Sequence, residues 1–185
     1  MDAIFNSGLL VFFGEMGDKT QLLSLILVAR YKKPWLILLG VLIATLANHA
    51  LAAVVGQHVA SYFSPDTIRW TLGISFFVFA IWILFPDKEG EIKSNSHFGI
   101  LLTTIISFFI AEMGDKTQLA TIALAATYSS VLLVTVGSTL GMIASNAFAI
   151  FVGERALRRI PMQTVRVISS TLFVLFGLAI IFEIF

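Results

Sequence analysis

Six long apolar segments, a duplicated charged octet and a lopsided placement of lysine and arginine predict an all-α, polytopic membrane protein. The expected architecture is six transmembrane helices arranged as two inverted three-helix repeats. The composition sets the solvent. Of the 185 residues, 58% are apolar and 12% charged, with a mean hydropathy of +0.94. Soluble domains run at about 45–50% apolar and about 25% charged, so most of this surface is expected to face lipid. There is no cysteine, which removes disulfides, thiolate metal sites and thiol redox chemistry. The start, Met1-Asp2-Ala3, lacks the basic stretch of a cleaved signal peptide, so the first apolar segment is expected to be retained as a working helix.

A bilayer-crossing helix needs about 20 mostly apolar residues. The six qualifying segments are 4–29, 35–57, 68–85, 98–126, 131–152 and 165–185. The breaks between them carry turn chemistry: 30–34 with Pro34, 61–67 with Pro65, the polar run 86–97, 127–130, and 153–164 with Pro161. Outer-membrane strands alternate polar and apolar at every residue. These runs do not, and a β-barrel is excluded.

Lysine and arginine orient the chain. The loops after the first, third and fifth segments, with the first turn of the sixth, hold Arg30, Lys32, Lys33, Lys88, Lys93, Arg155, Arg158, Arg159 and Arg166, whereas the opposite side holds only Arg69. Cytoplasmic loops are enriched in these residues, which places those three loops inside and both termini outside. Trp35, Trp70 and Trp82 fall near expected span ends, as interfacial anchors do.

The sequence repeats itself at a shift of 97. Glu15–Leu22 matches Glu112–Leu119 at every position, and the same ungapped register pairs Phe12 with Phe109, Tyr31 with Tyr128, Gly40 with Gly137, Ala47 with Ala144, Gly56 with Gly153, Arg69 with Arg166 and Phe79 with Phe176. Residues 1–85 form the first unit, 86–97 a cytoplasmic linker, and 98–185 the second unit. Each unit has an odd number of spans, so the second inserts upside down relative to the first. Inverted repeats are common in secondary transporters, with the site near the midplane between the halves.

The octet Glu-Met-Gly-Asp-Lys-Thr-Gln-Leu puts Glu15, Asp18, Lys19, Glu112, Asp115 and Lys116 at membrane depth. On the lenient insertion scale each costs about 2.5–3.5 kcal/mol, on the order of 15–20 kcal/mol for the set. Such groups face a protein interior or a wet path, and in membrane proteins they mark transport routes. In one continuous helix, Glu15 and Asp18 would share a face, Gln21 would continue it, and Lys19 could pair with Glu15. Gly17 and Gly114 allow close backbone approach, or a break that frees carbonyls. Four carboxylates and two lysines leave a net charge of −2, which one divalent cation or two protons would neutralise. Asp, Glu, Thr and Gln offer oxygen alone, which suits hard ions such as Ca²⁺, Mn²⁺ and Mg²⁺.

The expected site is therefore Glu15, Asp18, Glu112 and Asp115 around the ion, supported by Lys19, Thr20, Gln21, Lys116, Thr117 and Gln118. Asn48, His49 and Asn146 are secondary candidates, as cavity lining or as interhelical hydrogen-bonding groups. The competing reading of the charges is a structural ion-pair clasp, for which a duplicated Gly, Thr and Gln is more than required. Met16 and Met113 could offer a thioether to a softer ion, although methionine more often packs. Gly137-x-x-x-Gly141 fits close packing inside the bundle better than helix dimerisation.

With these residues in view, the paired E-x-G-D-[KR]-[TS] motifs on the first and fourth segments resemble the calcium/manganese:proton antiporter family (the relatives of Golgi transmembrane protein 165 and of MneA-type bacterial manganese exporters). The resemblance covers nearly the whole chain. It implies that Glu15, Asp18, Lys19 and Thr20 with Glu112, Asp115, Lys116 and Thr117 form the ion site. It also implies export of Mn²⁺, or of Ca²⁺, from the cytoplasm in exchange for protons. The short central linker and the lack of an N-terminal targeting extension point to a bacterial inner-membrane member, with manganese the preferred ion. The expected partners are the divalent ion, protons and lipid, with no cofactor and no nucleic acid. Two rivals remain: an exporter of another small solute, and a metal-dependent membrane transferase. The transferase would need further acidic or diphosphate-binding basic residues within the spans, and the sequence shows none. Neither H-E-x-x-H nor G-x-S-x-G occurs.

Overall fold

The computed structural model describes residues 2–85, 99–152 and 161–184, and every regular element in them is helical. Among the described residues eight helices follow one another: α1 (Asp2–Gly14), α2 (Lys19–Tyr31), α3 (Pro34–Ala60), α4 (Pro65–Trp82), α5 (Ile100–Glu112), α6 (Lys116–Tyr128), α7 (Val131–Val152) and α8 (Met162–Ile181). Three of them, α3, α7 and the 163–181 stretch of α8, are long and apolar enough to cross a membrane on their own. The linker expected at 86–97 and the basic run 155–159 lie outside the described residues.

The first and fourth apolar segments are not the continuous helices that the sequence predicts. Each is broken at its octet into two 13-residue helices, α1 and α2 in one half and α5 and α6 in the other. Thirteen residues rise about 20 Å, short of a hydrocarbon core about 30 Å thick. The break has a local cause. Gly17 and Gly114 sit at φ of 78° and 77°, the left-handed region that a side chain resists. Asp18 and Asp115 follow in extended conformation and start the next helix.

Other boundaries follow from sequence chemistry. Pro34 and Pro65 stand at the starts of α3 and α4, where a missing N–H is harmless. The Ser64 hydroxyl accepts from the Thr67 N–H at 3.3 Å. Lys32 and Ser129 end α2 and α6 in the left-handed conformation, and these two positions are again 97 apart.

Equivalent helices make equivalent contacts across the halves. α1 packs on α7 as α5 packs on α3, and α2 on α7 as α6 on α3. Small residues permit the approach, as the Gly137-x-x-x-Gly141 spacing predicts. A Cβ on Gly141 would collide with the Gly8 carbonyl, and one on Gly137 with Ile4 and Ser7 of α1. On the other side a Cβ on Gly40 would lie 2.7 Å from the Thr104 side chain of α5. α4 and α8 meet through a cluster in which Phe76 faces its repeat counterpart Phe173 at 5.8 Å, flanked by Phe79 and Phe176. Outward faces are apolar, with Leu39, Ile43 and Leu46 of α3, Val78 and Ile81 of α4, and Val167 and Leu175 of α8 all exposed. Trp35, Trp70 and Trp82 are exposed as well. A belt of this kind requires lipid. The chain is a membrane protein.

Candidate cation site

The two breaks bring the octets together inside the helix packing. Glu15 and Glu112 are fully buried, and Asp18 and Asp115 are 7% and 4% exposed. One carboxylate oxygen from each of Glu15, Glu112 and Asp115 lies within 4.8 Å of the others. Three oxygens so placed stand at most about 2.8 Å from a common centre, a few tenths of an ångström beyond the 2.3–2.6 Å of calcium–oxygen bonds. Glu15 Oε1, Glu112 Oε1 and Asp115 Oδ2 are buried without a hydrogen-bond partner among the described residues. Buried carboxylate oxygens are ordinarily bonded, which sets these three atoms apart from the rest of the buried polar groups that have partners.

Asp18 stands outside that trio. Its Oδ1 accepts from Lys116 Nζ at 3.2 Å. The mirror contact joins Lys19 Nζ to Asp115 Oδ1 at 2.8 Å. Each lysine therefore bonds the aspartate of the other half. The expected Lys19–Glu15 pairing, and the shared helix face of Glu15 and Asp18, both fail for one reason: the helix between them is interrupted.

Threonine and glutamine serve the break. Thr20 Oγ1 donates to Glu15 Oε2 at 2.7 Å, and Thr117 Oγ1 to Glu112 Oε2 at 3.4 Å. The Gln21 carbonyl oxygen accepts from Gly17 N–H at 2.9 Å, and that of Gln118 from Gly114 N–H at 2.7 Å. Glutamine in the first turn reaching back over the helix start is a variant of the capping box. It leaves the Asp18 and Asp115 carboxylates free of capping duty, since neither makes a side-chain cap bond. The signal, Asp-Lys-Thr-Gln, is present in both octets, although the apolar flanks conceal it as a helix start.

The secondary candidates are buried but serve other contacts. Asn48 Nδ2 donates to the Phe109 carbonyl at 3.1 Å. That carbonyl loses its usual donor where α5 ends, because the Met113 N–H turns to Ile110 instead. His49 Nδ1 is 2.9 Å from Ser138 Oγ. Asn146 accepts from Ser24 Oγ at 2.5 Å and donates to the Met142 carbonyl at 3.1 Å. Met113 is exposed and Met16 half-buried, so neither belongs to the buried carboxylate group. Ser145 and Ser169 carry no signal in the sequence. The former takes the Gln21 amide on its carbonyl at 2.9 Å and on its hydroxyl at 2.7 Å. The latter donates to the Phe13 carbonyl at 2.7 Å, beside the first break.

Comparison with known proteins identifies the family. The family model described as divalent cation/proton antiporter GDT1 matches residues 3–91 and 100–185. A protein of Vibrio cholerae serotype O1, provisionally designated a manganese exporter, is 47% identical over 173 residues, covering 93% of this chain and 86% of the relative. A GDT1-like protein of Synechocystis is 31% identical over 196 residues, 94% of each chain. GDT1-like protein 3 of Oryza sativa subsp. indica is 27% identical over 205 residues, 96% of this chain and 73% of the relative. No solved structure matches the chain. With the match running through both halves and both octets, the chain belongs to the GDT1 family of divalent cation/proton antiporters.

Proposed function

We propose that this protein exports a divalent cation, with Mn²⁺ the preferred ion and Ca²⁺ the second, from the cytoplasm in exchange for protons. The observation that carries the reading is the buried trio of Glu15, Glu112 and Asp115, whose oxygens converge within 4.8 Å and come from both octets. Asp18 completes the set of four carboxylates, released to the ion when Lys116 swings away. The two lysines then balance the cluster to −2, so one divalent ion or two protons neutralise it. The empty, charged cluster is the costly state in a low-dielectric interior, which makes exchange favourable over leak. Manganese rather than calcium is favoured by the Vibrio cholerae relative's designation as a manganese exporter.

The cluster works between two inverted repeats, residues 1–85 and 98–185, joined by the linker 86–97. The Lys19–Asp115 and Lys116–Asp18 bonds exchange with each other under the 97-residue register, and Phe76 meets Phe173 across it, which supports a two-fold relation between the halves. In this topology both termini are outside a cytoplasmic (inner) membrane, and the basic loops are inside. α1 with α2, and α5 with α6, each make one interrupted span, giving six. Interrupted helices around a midplane ion site are the usual construction of inverted-repeat transporters, and rocking of one half against the other would give alternating access.

The test is uptake of Mn²⁺ and Ca²⁺ into proteoliposomes under an imposed pH gradient, with a proton-sensitive dye inside. The proposal expects uptake driven by the gradient and proton counterflow in proportion to it. Uptake indifferent to the gradient, with no proton movement, would contradict exchange.

A further inference from the structure

Repeat-related positions on α4 and α8 have different surroundings in this structure, although the sequence around them repeats. On one side Arg166 and Ser169 of α8 line a crevice with Gly17, Asp18 and Lys116. Its free volume is about 10 Å³, at the lower limit for one water. The repeat counterparts of Arg166 and Ser169 are Arg69 and Leu72 of α4. Those line a vestibule of about 740 Å³ together with Gln57, Ser129 and Glu183, a space that no residue of either octet lines. Arg69 is drawn there to Asp66 and Glu183. The lysines follow the same asymmetry, with the Lys116 side chain 7% exposed and that of Lys19 27%.

One hydrogen bond accompanies the closed side. Ser169, 1% exposed, points its hydroxyl at the Phe13 carbonyl at 2.7 Å and at the Val165 carbonyl of its own helix at 2.9 Å. A hydroxyl has one proton, so it serves one acceptor at a time. Bonded to Phe13, it ties α8 to the end of α1 beside the first break. Bonded to Val165, it is satisfied within α8 and lets go. The Phe13 carbonyl keeps a second donor, the Met16 N–H at 3.2 Å. Release therefore orphans neither group. Among the described residues the equivalent position shows no such tie, because Leu72 stands there and has no side-chain donor.

We infer that Ser169 is the latch of a gate, holding α8 over the α1–α2 break and closing that side of the cluster until its proton turns back to Val165. The inference rests on the proposed function in taking the cluster as the transported ion's site. In the proposed topology the latched side is the cytoplasmic one. Ser169 acts by positioning α8 and is not itself a ligand.

The chain has no cysteine, so a single Met16→Cys reports on the crevice without a background. The experiment measures the maleimide labelling rate of M16C in nanodiscs, where both faces are open, without divalent ions, alone and combined with Ser169→Ala or Ser169→Thr. M113C, on the opposite break, serves as a folding control. Loss of one hydrogen bond corresponds to about fivefold in an equilibrium. S169A is expected to speed M16C labelling by about that factor, and S169T, which keeps the hydroxyl, to stay within twofold of the parent. An unchanged or slower rate in S169A overturns the latch. So does equal acceleration by S169T, which would assign the effect to packing rather than to the hydroxyl. Because no ion is present, the rates judge the gate alone, whereas absence of gradient-driven uptake by the unmodified protein would overturn the transport reading and leave these rates as they are.

Discussion

Lys19 donates to Asp115 across 2.8 Å, from the octet of one half to the octet of the other. With Lys116 on Asp18 at 3.2 Å, the two halves are cross-linked by a reciprocal pair of ion bonds set among carboxylates. Neither bond is predicted by reading each octet as a helix. Both follow once the helix stops at glycine and the aspartate begins a new one.

The reciprocal pairs are unequal in burial, and their loss should be unequal too. Removing one partner of a buried pair costs about 3–5 kcal/mol, whereas exposed pairs are worth about 1 kcal/mol or less. The Lys116–Asp18 pair is buried, and Lys19 is about a quarter exposed. Lys116→Ala is therefore expected to lower the thermal midpoint in detergent more than Lys19→Ala. Equal shifts would contradict the assigned burial.

The glycines are expected to be strict. At φ of 78° and 77°, Gly17→Ala and Gly114→Ala each incur about 1–2 kcal/mol of backbone strain. No heavy atom lies within 4 Å of a Cβ built on Gly114, so its penalty is conformational rather than steric. Both variants should insert and remain folded by circular dichroism yet lose most uptake activity. Full activity in G114A would show that the break is dispensable.

Thr20 and Thr117 occupy the same place in their octets but differ in geometry. Thr20 bonds Glu15 at 2.7 Å, whereas the Thr117–Glu112 contact is 3.4 Å, near the limit of a useful bond. A hydrogen bond to a charged group contributes about 1.5–3 kcal/mol. Thr20→Val should weaken Mn²⁺ binding by tenfold or more and Thr117→Val by less, as read by titration calorimetry. The reverse order would contradict the geometry.

The methionines should not set selectivity. Met16 lines the crevice beside Asp18, and Met113 is 60% exposed; neither is in the converging trio. Met16→Leu and Met113→Leu are expected to leave the Mn²⁺/Ca²⁺ uptake ratio within twofold. A large fall in that ratio for either variant would assign the thioether a role at the ion.

Much of this was legible in the residues. The duplicated octet marked Glu15, Asp18, Glu112 and Asp115 as candidates for one site, because burying charge is expensive enough to need a reason, and three of the four converge. Phe76 and Phe173 meet as the 97-residue register suggests. The interruption was less legible, since apolar residues on both sides of Glu15–Asp18 satisfy the length of a span and hydropathy does not register a change of helix. Positive φ at Gly17 and the back-reaching Gln21 are local to the octet, whereas the lysine exchange is a consequence of three-dimensional contact. Asn48 and Ser169 illustrate the remainder: their partners, the Phe109 and Phe13 carbonyls, are backbone atoms freed or approached only because the helices end there.

The central claim is that both octets build a single cation site. Equilibrium Mn²⁺ binding to the purified protein tests it most directly, measured for the parent, Glu15→Gln and Glu112→Gln. The account predicts one ion per chain, with binding lost in either variant alone. Two ions per chain, each abolished by only one of the variants, would contradict it.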